Sequence, residues 1–186
     1  MALGKNYDGQ DCSLARSLEL VGERWTMLVI RDALYGVRRY GDFLAHLDIP
    51  RAVLSQRLTT LVDAGVLRRH RYQDSPPREE YVLTEMGQEL WPAVLVLGNW
   101  GERHLSGKPR RIFCHVPCDA RIDGYGVCPA CGVRPELTEI EVRPGPDADL
   151  FRDDPVSRAL RRPHRMLDPL PHTVPRTVPH TGPEAP

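Results

Sequence analysis

The apolar residues change period at Gly65, and that change limits the chain to few folds. In "PRAVLSQRLTTLVDAGVLRRH", residues 50–70, Val53, Leu54, Leu58, Leu61 and Val62 recur at helical spacing and share one face. Arg51, Ala52, Ser55, Gln56, Thr59 and Asp63 share the other. Gly65 supplies the left-handed conformation that ends a helix. Beyond it the pattern alternates: "VLRRHRY", a turn-forming "QDSPPR" and "EEYVL" predict a β-hairpin whose loop is stiffened by Pro76 and Pro77. The formal net charge of the chain is zero, which argues against binding nucleic acid through bulk charge. Its distribution is uneven, because from Arg38 to Arg78 eight arginines face four aspartates, a local excess of about +4.

Three further helices are expected before the one at 51–63, making four ahead of the hairpin. Asp11 can cap a helix from Cys12 that carries Leu14, Leu18 and Val21 and ends at Gly22, while "ERWTMLVIRDALYG" forms a more apolar second helix stopped by Gly36. "YGDFLAHL" is a third, short helix, and only "DIP" separates it from the helix at 51–63. Two helices joined by so short a link, followed by a hairpin, make a helix-turn-helix with a wing. An α-helix fills the major groove of B-DNA, and its N-terminal outward residues reach base edges. Arg51, Ser55 and Gln56 are placed to read bases, with Thr59 one turn later at phosphate. Arg78, behind the proline pair, suits the minor groove, and Arg69, among Arg68 and Arg71, suits phosphate. After the hairpin, Thr84 caps a longer helix over 84–104, bent at Pro92. Its Leu90, Trp91, Val94, Leu95, Leu97 and Trp100 exceed what one small domain covers, which points to a subunit interface. The expected class is α+β, mainly α: a winged helix with a dimerisation helix over residues 11–109.

"CSLARSLELVGERWTMLVIRDALYGVRRYGDFLAHL", "VLSQRLTTLVDAGVLRRHRY" and "PPREEYVLTEMGQEL", in this order over residues 11–105, resemble the HxlR-type winged-helix transcriptional regulators, relatives of the MarR group. The resemblance implies a homodimeric bacterial regulator of double-stranded DNA, with dimer contacts from residues 12–21 and 84–104. One departure is Pro50, where the family often has a capping Ser; proline is tolerated in the first turn of a helix. Cys12 matches the N-terminal cysteine that some members use as a thiol sensor, which makes a redox or small-molecule effector an expectation. A helix N-terminus and Arg16 favour its thiolate, and Asp11 opposes it. The alternative for Cys12 is a small apolar residue at the dimer interface.

Residues 110–143 hold four of the five cysteines. "CPACG" at 128–132 is a zinc-knuckle pattern, and the second pair of ligands is open: Cys114 with Cys118, or His115 with Cys118, either completing a structural zinc site with Cys128 and Cys131. A zinc-ribbon-like module is therefore expected at 110–143. No His-x-Glu precedes the cysteine pair, as a zinc deaminase would need, and no βαβ pattern supports a thioredoxin-like role. From Pro144 to Pro186 the chain is rich in Pro, Arg and Asp, and a disordered or loosely attached tail is expected. No catalytic constellation is evident, so an enzyme is not expected; a protein-docking winged helix is the rival, which the arginines of the wing disfavour. No apolar run is long enough to span a membrane, and the N-terminus lacks the apolar core of a signal peptide, so the expected compartment is the cytoplasm.

Overall fold

The computed structural model describes Tyr7 and residues 9–171. Helices α1 (Ser13–Val21), α2 (Thr26–Leu34), α3 (Tyr40–Leu47) and α4 (Arg51–Asp63) come first. Strands β1 (Leu67–Gln73) and β2 (Arg78–Leu83) form the hairpin, antiparallel with Leu67 opposite Leu83 and Arg69 opposite Tyr81. Cys12, not Asp11, occupies the cap position of α1, and its side chain makes no capping bond. Between α3 and α4, Asp48 takes the left-handed conformation (φ 50°) and Ile49 is buried, so the turn is closed by an apolar plug. Gly65 has φ 76°, as its place after α4 requires.

The helix expected over 84–104 is interrupted. Thr84 does cap it, accepting from the Gly87 N–H at 3.2 Å. The first segment, α5, spans only Glu85–Gln88, and the chain restarts as α6 (Trp91–Gly101) before a wider π-type turn over Glu102–Ser106. Pro92 sits in the first turn of α6, where its missing N–H costs no intrahelical bond.

The C-terminal half is a four-stranded antiparallel sheet in the order β4-β3-β5-β6, built from β3 (Arg111–His115), β4 (Ala120–Arg121), β5 (Ile140–Pro144) and β6 (His164–Arg165). A short helix, α7 (Pro155–Ala159), is capped by Asp154, whose carboxylate accepts from the Ser157 N–H at 2.9 Å. This half shares one apolar core with the winged helix: Phe113 of β3 packs edge-on against Trp91 at 4.8 Å, and Ile122, Ile140 and Val142 join Leu34 and Leu95.

The expectation of a loose tail from Pro144 is corrected over residues 145–171. Val156, Leu160, Met166 and Leu170 are buried in the common core. The Leu167 and Leu170 N–H groups donate to the carbonyls of Leu34 and Gly36, at 2.9 and 3.2 Å. These few apolar residues are too sparse to make a core of their own, but they suffice on a surface already supplied by α2 and α3. Residues 172–186 of the expected tail lie outside the described residues.

Candidate nucleic-acid interface and metal cluster

Helix α4 divides its faces cleanly. Leu54, Leu58 and Leu61 are fully buried, while Arg51, Ser55, Gln56 and Thr59 are exposed along one side. Tyr40, at the start of α3, donates its hydroxyl to the Arg51 carbonyl at 3.0 Å and lies 3.2 Å from the Ser55 hydroxyl. It therefore ties the first turn of α4 to α3, where Pro50 offers no side-chain cap. Arg51 makes no ion pair among the described residues, so its guanidinium is available to an outside acceptor.

The wing is anchored to the same scaffold. The Tyr81 N–H donates to the Arg38 carbonyl at 2.8 Å. Arg39 stacks on the Tyr72 ring at 4.6 Å and reaches the Glu80 carboxylate at 3.4 Å. Arg78 is exposed beside the turn and has no carboxylate within reach among the described residues. Arg69 and Arg71 are less free, since Glu79 lies 3.7 Å from the first and Asp74 3.2 Å from the second.

Beneath this surface lies a charged network that sequence reasoning missed. Asp32 is wholly buried; its Oδ1 accepts from Arg31 at 2.6 and 2.9 Å, and its Oδ2 lies 2.7 Å from His46 Nδ1. Burial alone would raise the carboxyl, but Arg31 and His46 outweigh it and hold it below the usual carboxylate range. The link joins α2 to α3. The available signal was an aspartate inside the apolar α2 stripe, which demands a partner.

In the C-terminal half the ligand atoms of His115, Cys118, Cys128 and Cys131 all lie within 4.8 Å of one another. Cys114 is outside this cluster. It is adjacent to His115 in β3, so the two side chains leave opposite faces of the strand, and Cys114 is buried with its thiol raised by that burial. The structure thus brings together the His115 set and corrects the Cys114 one. Cys118 Sγ is 3.3 Å from His115 Nδ1 and 3.4 Å from Cys128 Sγ. Tetrahedral zinc, with Zn–S bonds of about 2.3 Å, holds its ligand atoms roughly 3.7 Å apart, within the observed range. Although burial resists it, the N–H groups of Cys131 and Ala130, with Cys118 and His115, pull the Cys128 thiol down to about 6. The hydrogen bonds of Cys118 and Cys128 push Cys131 up to about 11. A thiolate is thereby prepared in a knuckle that Gly132 (φ 71°) closes, its N–H donating to the Cys128 carbonyl at 2.8 Å. The second ring nitrogen of His115 faces Glu139 at 3.8 Å, the outer partner a metal-bound imidazole commonly has. The residues fit zinc.

Cys12 is exposed at the head of α1, and Asp11, Ser13 and Arg16 share a shallow groove with it. Among the exposed large apolar residues are Leu14 and Leu18 of α1 and Val96, Leu97 and Trp100 of α6. No helix among the described residues is long and apolar enough to cross a membrane.

A short link between α3 and α4, an outward polar face on α4 and a hairpin bearing unpaired arginine define a winged helix-turn-helix DNA-binding protein. Residues 20–109 match the model of the HxlR-like helix-turn-helix family. An uncharacterized HTH-type transcriptional regulator of Mycobacterium tuberculosis is 41% identical over 147 residues, covering 77% of this chain and 91% of its own. That alignment is longer than the winged helix, so the likeness runs on into the C-terminal half. The HTH-type regulator YdeP of Bacillus subtilis is 31% identical over 106 residues, 55% of this chain and 83% of its own. Among solved structures, PA1607, named a candidate transcription factor, is 28% identical with a TM-score of 0.50 over 80% of this chain and 94% of that one. The chain belongs to the HxlR-like helix-turn-helix family and is a transcriptional regulator with a DNA-binding fold.

Proposed function

We propose that the protein works as a cytoplasmic homodimer which binds a pseudo-palindromic operator, laying α4 of each protomer in successive major grooves and Arg78 in or beside the flanking minor groove. The observation that carries this reading is the exposed row Arg51, Ser55, Gln56 and Thr59 on a helix whose other face is locked into the core. Arg51 suits guanine O6 and N7, and Gln56 suits adenine N6 and N7. Exposed Leu14, Leu18, Val96, Leu97 and Trp100 support dimer contacts through α1 and α6. Arg69 contributes to phosphate, at the cost of loosening its contact with Glu79.

Two further elements belong to this reading. A zinc ion held by His115, Cys118, Cys128 and Cys131 would cross-link the loop after β3 to the knuckle, and with four protein ligands it would be structural. Exposed Cys12 would supply a thiol response: peroxide oxidises it to the sulfenic acid with release of water, placing a new polar group beside the α1 contact. Selection of bound genomic fragments, with sedimentation of the bound species, tests the main proposal. Gln56→Ala should relax preference at one position of each half-site by about 1–3 kcal/mol, whereas Arg78→Ala should weaken all sequences and reduce the salt slope by about 1. Equal loss across all sequences from both variants, or a monomer on DNA, would overturn it. Cys12→Ser protein that still loses operator binding on mild oxidation would remove the thiol response, and a zinc content near zero in reduced protein would remove the metal.

A further inference from the structure

Where the C-terminal half packs on α2 and α3, a cavity of about 310 Å³ is walled by Arg31, Arg110, Arg111 and Arg152, with Asp149 as the carboxylate of its lining. A second cavity, of about 190 Å³, shares Arg31, Tyr35, Arg110 and Arg111 with the first. Its remaining wall is largely apolar, with Trp91, Val94, Leu95 and Phe113.

The arginines differ in what satisfies them. Arg31 is held by Asp32, and Arg152 donates to the His46 carbonyl at 2.5 Å and lies 3.4 Å from Asp154. Asp149 accepts from the Phe151 and Arg152 N–H groups, and Glu102, on the smaller cavity, accepts from the Arg110 N–H. Arg110 is exposed and has no ion pair among the described residues; Arg111 differs in being half-buried. Its Nη1 donates to the Leu160 carbonyl at 3.1 Å, and no carboxylate lies within ion-pair distance of it among the described residues. Burial pushes its guanidinium below the ordinary value; Tyr35 and Asp32 offset part of that push, and nearby Arg31 adds to it. A half-buried cation whose side chain donates to a carbonyl and which has no ion pair among the described residues, at the seam of a polar and an apolar cavity, is an incomplete arrangement that an anion would complete.

We propose that this double cavity binds a small organic carboxylate with an apolar tail, the carboxylate pairing with the free edge of Arg111 and the tail lying against Trp91, Leu95 and Phe113. A bare inorganic anion would leave the apolar wall unused. A neutral amphiphile would leave Arg111 unpaired. The site needs residues 110–160, so it is a property of the C-terminal half and not of the winged helix by itself. Occupancy also has a route to the DNA face. Arg152 lines the cavity and holds the carbonyl of His46 in α3, the helix that Tyr40 ties to α4. That last step rests on the DNA-binding reading; the binding step does not.

Calorimetric titration of the full chain with sodium octanoate, alongside octan-1-ol and inorganic phosphate, tests the site without DNA. Octanoate should saturate at one per chain in the millimolar range or below, and both controls should bind more weakly. Arg111→Gln should weaken octanoate by roughly tenfold or more, whereas Arg158→Gln, on α7 outside the cavity, should leave it unchanged. Val94→Phe, which narrows the apolar part and leaves Arg111 in place, should weaken octanoate while sparing acetate. No heat with octanoate at millimolar concentration, equal binding of octanol or phosphate, or unchanged affinity in folded Arg111→Gln would overturn the site. Octanoate that binds but leaves operator affinity unchanged would overturn the route through α3 alone.

Discussion

Of the twelve largest fully buried side chains among the described residues, nine lie between Val29 and Leu67 and only Ile140, Leu160 and Met166 lie in the C-terminal half. In the first region α2, α3, α4 and β1 each contribute apolar residues to the shared core, and burying apolar surface at about 25 cal/mol per Å² is what offsets ordering there. The second region has a sheet whose outer strands are two residues long, and it leans on two other supports. One is the wall offered by Trp91 and Leu34, and the other is the cluster of His115 with three cysteines. The contrast teaches that the C-terminal half is folded conditionally. On the proposal that zinc fills this cluster, it should persist only while the winged helix is folded and the metal is held.

Removing the cross-link should separate the two regions most sharply. Structural zinc contributes on the order of 10 kcal/mol to small modules, more than the whole stability of many domains. Chelation, or Cys128→Ser, should therefore bring the amides of β3, β4 and β5 into rapid hydrogen exchange while those of α2 and α4 stay protected. Uniform protection across both halves after metal removal would mean that packing on Trp91 suffices alone.

Asp32→Asn should strike the other side of the comparison. It removes the charge that holds Arg31 and His46 together inside the winged helix, and breaking a buried pair costs about 3–5 kcal/mol. The pH dependence follows from the direction of the shift. Because the folded carboxyl lies below its unfolded value of about 3.9, its contribution is present above that pH and lost as pH falls through the folded pKa. Urea midpoints measured from neutral pH down to below about 4 should fall for the native chain and fall less for Asp32→Asn. Parallel curves would show that other carboxylates carry the acid sensitivity.

Gly36→Ala probes the seam between the regions and should cost less, about 1–2 kcal/mol from the left-handed backbone, with the clash added locally. Gly36 has φ 87°, and a Cβ there would lie 1.7 Å from the Asp168 carbonyl. The expected outcome is release of the 167–170 strap, read as new proteolytic cleavage there, with α2 to α4 intact. No gain in cleavage would place the hold elsewhere, at Met166.

What was legible in the sequence follows the same division. Tyr40–Leu47 and the stop at Gly65 emerge as expected because helical spacing and a glycine in the left-handed region are local facts. The strap is not local. Val156, Leu160, Met166 and Leu170 sit among prolines and arginines whose composition suggests disorder, and only the surface of α2 and α3 gives them meaning. Gly36 reads as a helix stop, yet its second reason, the close approach of Asp168, needs a partner more than a hundred residues away. The Asp32–His46 link and the lone Arg111 are hidden for the same reason: each is recognised by what it faces.

The smallest expected effect concerns the choice between Cys114 and His115, which spacing left open and strand alternation separates. Both residues are buried in β3, but only His115 faces the cysteines. Cys114→Ala removes one sulfur from a packed face, a change of about 1 kcal/mol, ordinary for a point substitution in a core. Zinc content per chain should stay at the native value, because no donor atom is lost. His115→Ala should reduce that content, and it also frees Glu139. If Cys114→Ala instead releases metal while His115→Ala retains it, the cluster is four thiolates, β3 must be shifted by one residue, and every side chain on it changes face. A shift of that kind would also move Phe113 off Trp91 and Arg111 out of the cavity seam, so this mild substitution tests the register on which the C-terminal half depends.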